Sequence, residues 1–171
     1  MVSHIEMVPL KGIVINKTLE ITFGQTVEAC RMLMEQEGTR VQNKWYWFDN
    51  NLCLEFEDNT LVFIQVSNCN EIDTEMFGSN PFAMTDEELI PFLCKNCGAQ
   101  ETGQADIGQS YDYIVESQQI SLYRGITPCD ISESIEEAKA EGFYDEEMEA
   151  EYVKSRFFET IGIGATDYFS E

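Results

Sequence analysis

Hydrophobic and polar positions sort this chain into short runs, and the clearest lie between Lys44 and Val66. Trp45 to Phe48 is aromatic, Leu52 to Phe56 alternates, and Leu61 to Val66 is almost continuously apolar. Asp49-Asn50-Asn51 and Asp58-Asn59 separate the runs, and both residue types tolerate the positive φ of tight hairpin turns. In the second run Leu52, Leu54 and Phe56 share one face, while Cys53 and Glu55 share the other. The third run has no polar face, which places it in the middle of a sheet covered on both sides. Trp45 or Trp47 should be buried, together with Leu54, Phe56, Phe63 and Ile64.

The same reading extends in both directions. Met1 to Leu10, with His4, Glu6 and Pro9, reads as a frayed terminal segment. Gly12 to Ile15 and Leu19 to Phe23 form a hairpin turning at Asn16-Lys17. Thr22 or Thr26 caps a helix whose stripe is Val27, Cys30 and Met34, and Gly38 ends it. Asn68 to Ala83 shows no period and reads as a long loop. Thr85 and Glu88 make a capping box for a helix running to Cys97, with Gly98 after it and a kink or break at Pro91. Gln100 to Gln109 is a second loop, followed by a hairpin of Tyr111–Val115 and Gln119–Tyr123. Two helices come next. Asp130 and Glu133 open the first, with Ile131, Ile135 and Ala138 as its stripe and Gly142 at its end. The second runs from about Asp145 to Glu159 and buries Ala150, Val153 and Phe157, with Met148 or Tyr152 alongside. Ile161-Gly162-Ile163-Gly164 is a short strand tucked onto the sheet.

These elements predict an α+β fold: an antiparallel sheet of about six or seven strands, centred on Leu61 to Val66, with helices packed mainly on one face. No repeat or composition break interrupts the 171 residues, so a single domain spanning 1–171 is expected. A chain that is 43% hydrophobic and 12% aromatic has ample core material despite its charge.

The charge changes the picture. Thirty-two acidic residues against ten basic ones give a net charge of −22. Nucleic acid and anionic membranes are repelled at that charge, whereas a basic protein is attracted. The first ten residues lack the basic and apolar regions of an export signal, and no run reaches the ~20 apolar residues of a membrane span, so a cytoplasmic protein is expected. Six cysteines without an export signal are expected to be reduced.

Candidate chemistry is sparse. Cys94-Lys95-Asn96-Cys97 is one C-x-x-C, and a zinc site commonly needs a second pair or two histidines. Cys69 and Cys129 could complete a site in space, but their spacing does not demand it, and neither metal nor cofactor is expected. Both thiols of the pair fall at a helix C-terminus, where the dipole opposes a thiolate. His4 is the only histidine, so every Ser-His-Asp or Cys-His arrangement would depend on it. Gly162-x-Gly164 lacks the third glycine and the βαβ unit of a dinucleotide fingerprint. The chain is therefore read as a binding protein with no catalytic role.

The segment from Asp130 to Glu151 differs in kind. It holds Asp130, Glu133, Glu136, Glu137, Glu141, Asp145, Glu146, Glu147, Glu149 and Glu151, against Lys139 alone. Glu133 with Glu137, and Glu137 with Glu141, are like-charge pairs at i, i+4, each costing a few tenths of a kcal/mol. Repulsion retained in a folded segment points either to a field used for binding or to solubility alone. The candidate partner-binding residues are Glu133, Glu136, Glu137, Glu141, Asp145, Glu146, Glu147 and Glu149.

With LCLEFEDNTLVFIQVS in the middle, these acidic helices, and FFETIGIGATDYFSE at the end, the chain resembles bacterial immunity proteins that neutralise toxins of interbacterial competition systems. The resemblance implies an inhibitor that docks on a cognate toxin, often a basic nuclease. Two other readings stand beside it. One is a nucleic-acid mimic that occupies the DNA channel of a restriction or defence enzyme. The other is a small enzyme or ligand-binding domain whose acidity serves solubility.

Overall fold

The computed structural model describes residues 2–34, 37–98 and 104–169. Alternation of Ile5 and Met7 with His4 and Glu6 makes a strand of the first residues, correcting the frayed segment expected there. This strand, β1 (Ser3–Val8), buries Ile5 and Met7. It pairs antiparallel with β2 (Gly12–Ile15), which turns through Asn16-Lys17 into β3 (Leu19–Thr22). Asn16 and Lys17 have φ of 51° and 63°, the mirror-image turn whose twist suits paired strands.

Helix α1 (Val27–Leu33) is capped by Thr26, whose side chain accepts the Ala29 N–H at 3.2 Å. It ends earlier than the sequence predicts, because Met34 is already extended at φ −82° and ψ 124°; residues 35 and 36 lie outside the described residues. Gly38 serves packing instead of capping. A Cβ on it would lie 2.6 Å from Trp47 Cε2.

Strand β4 (Thr39–Val41) leads into the meander of β5 (Lys44–Trp47), β6 (Leu52–Glu57) and β7 (Thr60–Ser67). Asp49, Asn50, Asp58 and Asn59 all take positive φ, as their turns require. Trp47, Leu52, Leu54, Phe56, Leu61, Phe63, Ile64 and Val66 are buried. The stretch after β7 is not all loop: β8 (Ile72–Met76) buries Ile72, Thr74 and Met76 by alternation. Its polar composition hid it, and the partner that makes it a strand is β1, far away in sequence and parallel to it.

Helix α2 (Asp86–Cys97) carries the expected capping box, with Glu88 Oε2 accepting the Thr85 N–H at 2.9 Å, and ends at Gly98 with φ 64°. It does not break at Pro91. Leu89, Ile90 and Leu93 are locked in the core, while Pro91 lines an open groove, so the missing hydrogen bond falls on the side away from the packing. The part of the expected second loop before Gln104 lies outside the described residues; Gln104–Gln109 is a 3-10 helix. Strands β9 (Asp112–Val115) and β10 (Ile120–Tyr123) follow as a hairpin. Helices α3 (Pro128–Glu141) and α4 (Glu146–Ser155) then pair with each other, and β11 (Thr160–Gly164) ends the regular structure.

The fold is α+β. A seven-stranded antiparallel sheet runs β4-β5-β6-β7-β11-β10-β9, and a four-stranded mixed sheet runs β3-β2-β1-β8. Four α-helices lie beside them among the described residues. β7 is the middle strand of seven, as its almost continuously apolar run predicts. The two sheets share one apolar core, and bonds from Leu61 N–H to Gln25 C=O and from Gly24 N–H to Leu61 C=O tie β7 to the turn that follows β3. β11 inserts between β7 and β10, where Gly162 makes room for the Phe63 ring: a Cβ there would sit 2.3 Å from Phe63 Cζ. No helix among the described residues is long and apolar enough to cross a membrane.

Candidate partner-binding face

Local sequence fixes both helices of the acidic hairpin. Thr127 caps α3: its hydroxyl accepts the Asp130 N–H at 3.1 Å, and Asp130 Oδ2 accepts the Thr127 N–H at 2.9 Å. Pro128 occupies the first helical position, where its missing N–H costs nothing. Gly142 ends α3 with φ 80°. Asp145 caps α4 by accepting the N–H groups of Glu147 and Met148 at 3.0 and 3.1 Å.

α3 packs as its stripe predicts, through Ile131 and Ile135. α4 does not. Ala150 and Val153 are exposed and Phe157 lies beyond the helix, half-buried. The side chains turned inward are Ser155, with Met148 and Tyr152 partly covered. The helix ends at Ser155, short of the expected Glu159, and its last carbonyl is bonded to a buried cation.

That cation is Arg124, fully buried after β10. Its Nη1 donates to Asp86 Oδ2 at 2.6 Å and to the Ser155 carbonyl at 3.0 Å. Nε donates to the Ser110 carbonyl at 3.0 Å, and Nη2 to the carbonyl of Ile107. The guanidinium also lies 4.9 Å from the centre of the Phe158 ring. One side chain therefore joins the start of α2, the end of α4 and the end of β10. A second contact closes the joint: Asp86 N–H donates to the Arg156 carbonyl at 2.7 Å, and Arg156 pairs with Glu87 at 2.9 Å. Sequence reasoning missed this hub. Arg124 sits in no periodic segment, and its partners come from three separate stretches, at Asp86, at Ile107 and Ser110, and at Ser155 and Phe158.

Away from the hub the hairpin carries its charge into solvent. Glu133, Glu136, Glu137, Glu141, Asp145, Glu146, Glu147 and Glu149 are all exposed. Among the described residues only Glu149 of these eight has an ion pair, with Lys139 at 3.7 Å. Lys139 is committed there: its ammonium also lies 4.6 Å from the Tyr144 ring, and Tyr144 donates to Glu149 at 3.0 Å. Phe143 is 75% exposed at the hairpin tip and Val153 55% exposed on α4. The hairpin therefore carries seven exposed carboxylates without an ion pair among the described residues, and two exposed apolar side chains, on a base held by Arg124.

Other sequence candidates do not gather into a site. His4 Nδ1 lies 3.0 Å from Asp73 Oδ2 on the four-stranded sheet. Cys94 is buried, and burial pushes the Cys97 thiol up to about 11, against a thiolate. The cysteines are free, and among the described residues no cluster of three or more His, Cys, Asp or Glu could hold a metal. No family model, curated protein or solved structure matches the chain.

Proposed function

We propose that this protein works by binding, docking the acidic α3–α4 hairpin on a basic protein and inhibiting it, as an immunity protein opposes a cognate toxin or nuclease. The observation that carries the reading is the set of exposed carboxylates on α3 and α4, of which only Glu149 has an ion pair among the described residues, on a hairpin that also exposes Phe143 and Val153. Solubility alone would be served by charge anywhere on the surface. Here the charge is concentrated on one hairpin whose base is anchored by a buried ion pair, and interfaces place exposed aromatic anchors inside a polar rim. An acidic field of this kind speeds encounter with a basic partner.

Affinity capture from the source cell, with the wild-type chain as bait, tests the proposal. A basic toxin or nuclease retained by wild type and lost by a variant with Glu133, Glu136, Glu137 and Glu141 changed to Lys is the expected result. Retention of a DNA-binding defence enzyme would favour the nucleic-acid mimic. A partner held equally by both baits would count against the acidic face.

A further inference from the structure

At the base of the hairpin a groove of about 470 Å³ opens between α4, the start of α3 and the end of the seven-stranded sheet. Its apolar wall is made by Ile126, Phe157 and Phe158, and its rim by Glu151, Lys154 and Glu159. Phe158 is buried, but Ile126 is 41% exposed. Glu159 is fixed in place: its Oε1 accepts the Gly125 N–H at 3.0 Å. Lys154 has no ion pair among the described residues and is the one base on the rim.

We infer that this groove receives a basic amphipathic segment of the partner, an apolar side chain against Ile126 and Phe157 and a lysine or arginine head on Glu151 and Glu159. The inference rests on the reading that the acidic hairpin binds a basic protein, and it names the chemistry recognised at the hairpin's base. Three observations select this occupant. The volume lies within the ~300–1,000 Å³ of pockets that enclose ligands, enough for a few side chains. The rim is net negative and continuous with the α4 carboxylates, so an anionic ligand is opposed and a cation favoured. Lysine and arginine have apolar stems that lie along an apolar wall while the charged head reaches a carboxylate. A basic helix presenting apolar anchors at i and i+3 or i+4 satisfies all three.

Two synthetic peptides of equal length and charge test it on the full chain: an amphipathic helix of Lys and Leu, and a Lys and Ser peptide. Titration calorimetry at fixed ionic strength should show the Lys/Leu peptide binding about tenfold or more tightly than the Lys/Ser peptide, from the apolar area covered. Ile126→Ser, which removes apolar surface without adding charge, should abolish that preference and leave the Lys/Ser affinity unchanged. Lys154→Glu should tighten the Lys/Leu peptide, a gain that loss of structure would not produce. Equal affinity for the two peptides, or a preference that survives Ile126→Ser, overturns the groove. If the Glu133, Glu136, Glu137 and Glu141 reversals to Lys weaken both peptides while Ile126→Ser changes neither, the acidic face stands and the groove falls. If neither peptide binds, both readings fall together.

Discussion

Arg124 Nη1 lies 2.6 Å from Asp86 Oδ2, with the two side chains 0% and 3% exposed. A charge pair this deep is specific more than it is stabilising, because desolvation opposes the attraction. Breaking it is another matter. Asp86→Ala strands a buried guanidinium, and Arg124→Met strands the carboxylate together with the Ser155 and Ser110 carbonyls. Each should cost about 3–5 kcal/mol in denaturant unfolding. The Asp86→Ala, Arg124→Met double variant should lose less than the sum, as partners in one network do. Additive losses would mean the two residues act independently.

Phe63 stacks on Tyr168 at 4.8 Å and meets Phe169 edge-on at 5.9 Å, so the chain after β11 folds back over the middle strand. Phe63→Ala should cost about 3–5 kcal/mol by removing a buried ring. Gly162→Ala should destabilise the wild type, because its Cβ meets the Phe63 ring, and should cost less once Phe63 is alanine. Thermal melts of the four proteins decide it; an equal cost in both backgrounds would contradict the packing.

Asp130 Oδ2 accepts bonds from the Thr127 N–H at 2.9 Å, and from the Thr127 and Tyr111 hydroxyls, each at 2.8 Å. These bonds, the Thr127 backbone first, hold its carboxyl below the usual carboxylate range. Since the folded pKa lies below the unfolded one, the stabilisation is complete above the unfolded value, near ~4, and is lost as pH falls through the folded value. Asp130→Asn should therefore melt below wild type at neutral pH, with the gap closing in acid. A gap that does not change with pH would mean the ionised carboxylate contributes nothing to capping α3.

Strands and turns were legible in the sequence where the cause is local. Asp58-Asn59 turns the chain because both residues tolerate positive φ, and β7 reads as central because it has no polar face. Partnership was not legible. β8 alternates as Ile72, Thr74 and Met76, yet becomes a strand only because β1 lies parallel beside it, and nothing near either segment announces the other. β11 was readable as a strand, but not as the one inserted between β7 and β10. The same division holds at the candidate site. The carboxylates of α3 and α4 are visible because the helices repeat them, whereas Arg124 and the Ile126 groove are assembled from segments far apart in the chain. α4 shows the cost of using periodicity alone: Val153 lies on the predicted stripe and is exposed, while the face turned inward carries Ser155, whose carbonyl is bonded to Arg124.

The association rate of the captured partner, followed by stopped flow as ionic strength rises, tests the acidic face most directly. Screening shortens from ~10 Å at 0.1 M to ~3 Å at 1 M, so encounter steered by exposed carboxylates must slow steeply with salt while dissociation changes little. Changing Glu133, Glu136, Glu137 and Glu141 to Lys should slow association by on the order of tenfold or more and flatten its salt dependence. These four are exposed and lie away from the N-terminal cap of α3, so the fold should persist, as circular dichroism can verify. An association rate indifferent to both salt and the four reversals would show that the hairpin's charge is a solvated surface and not the docking face.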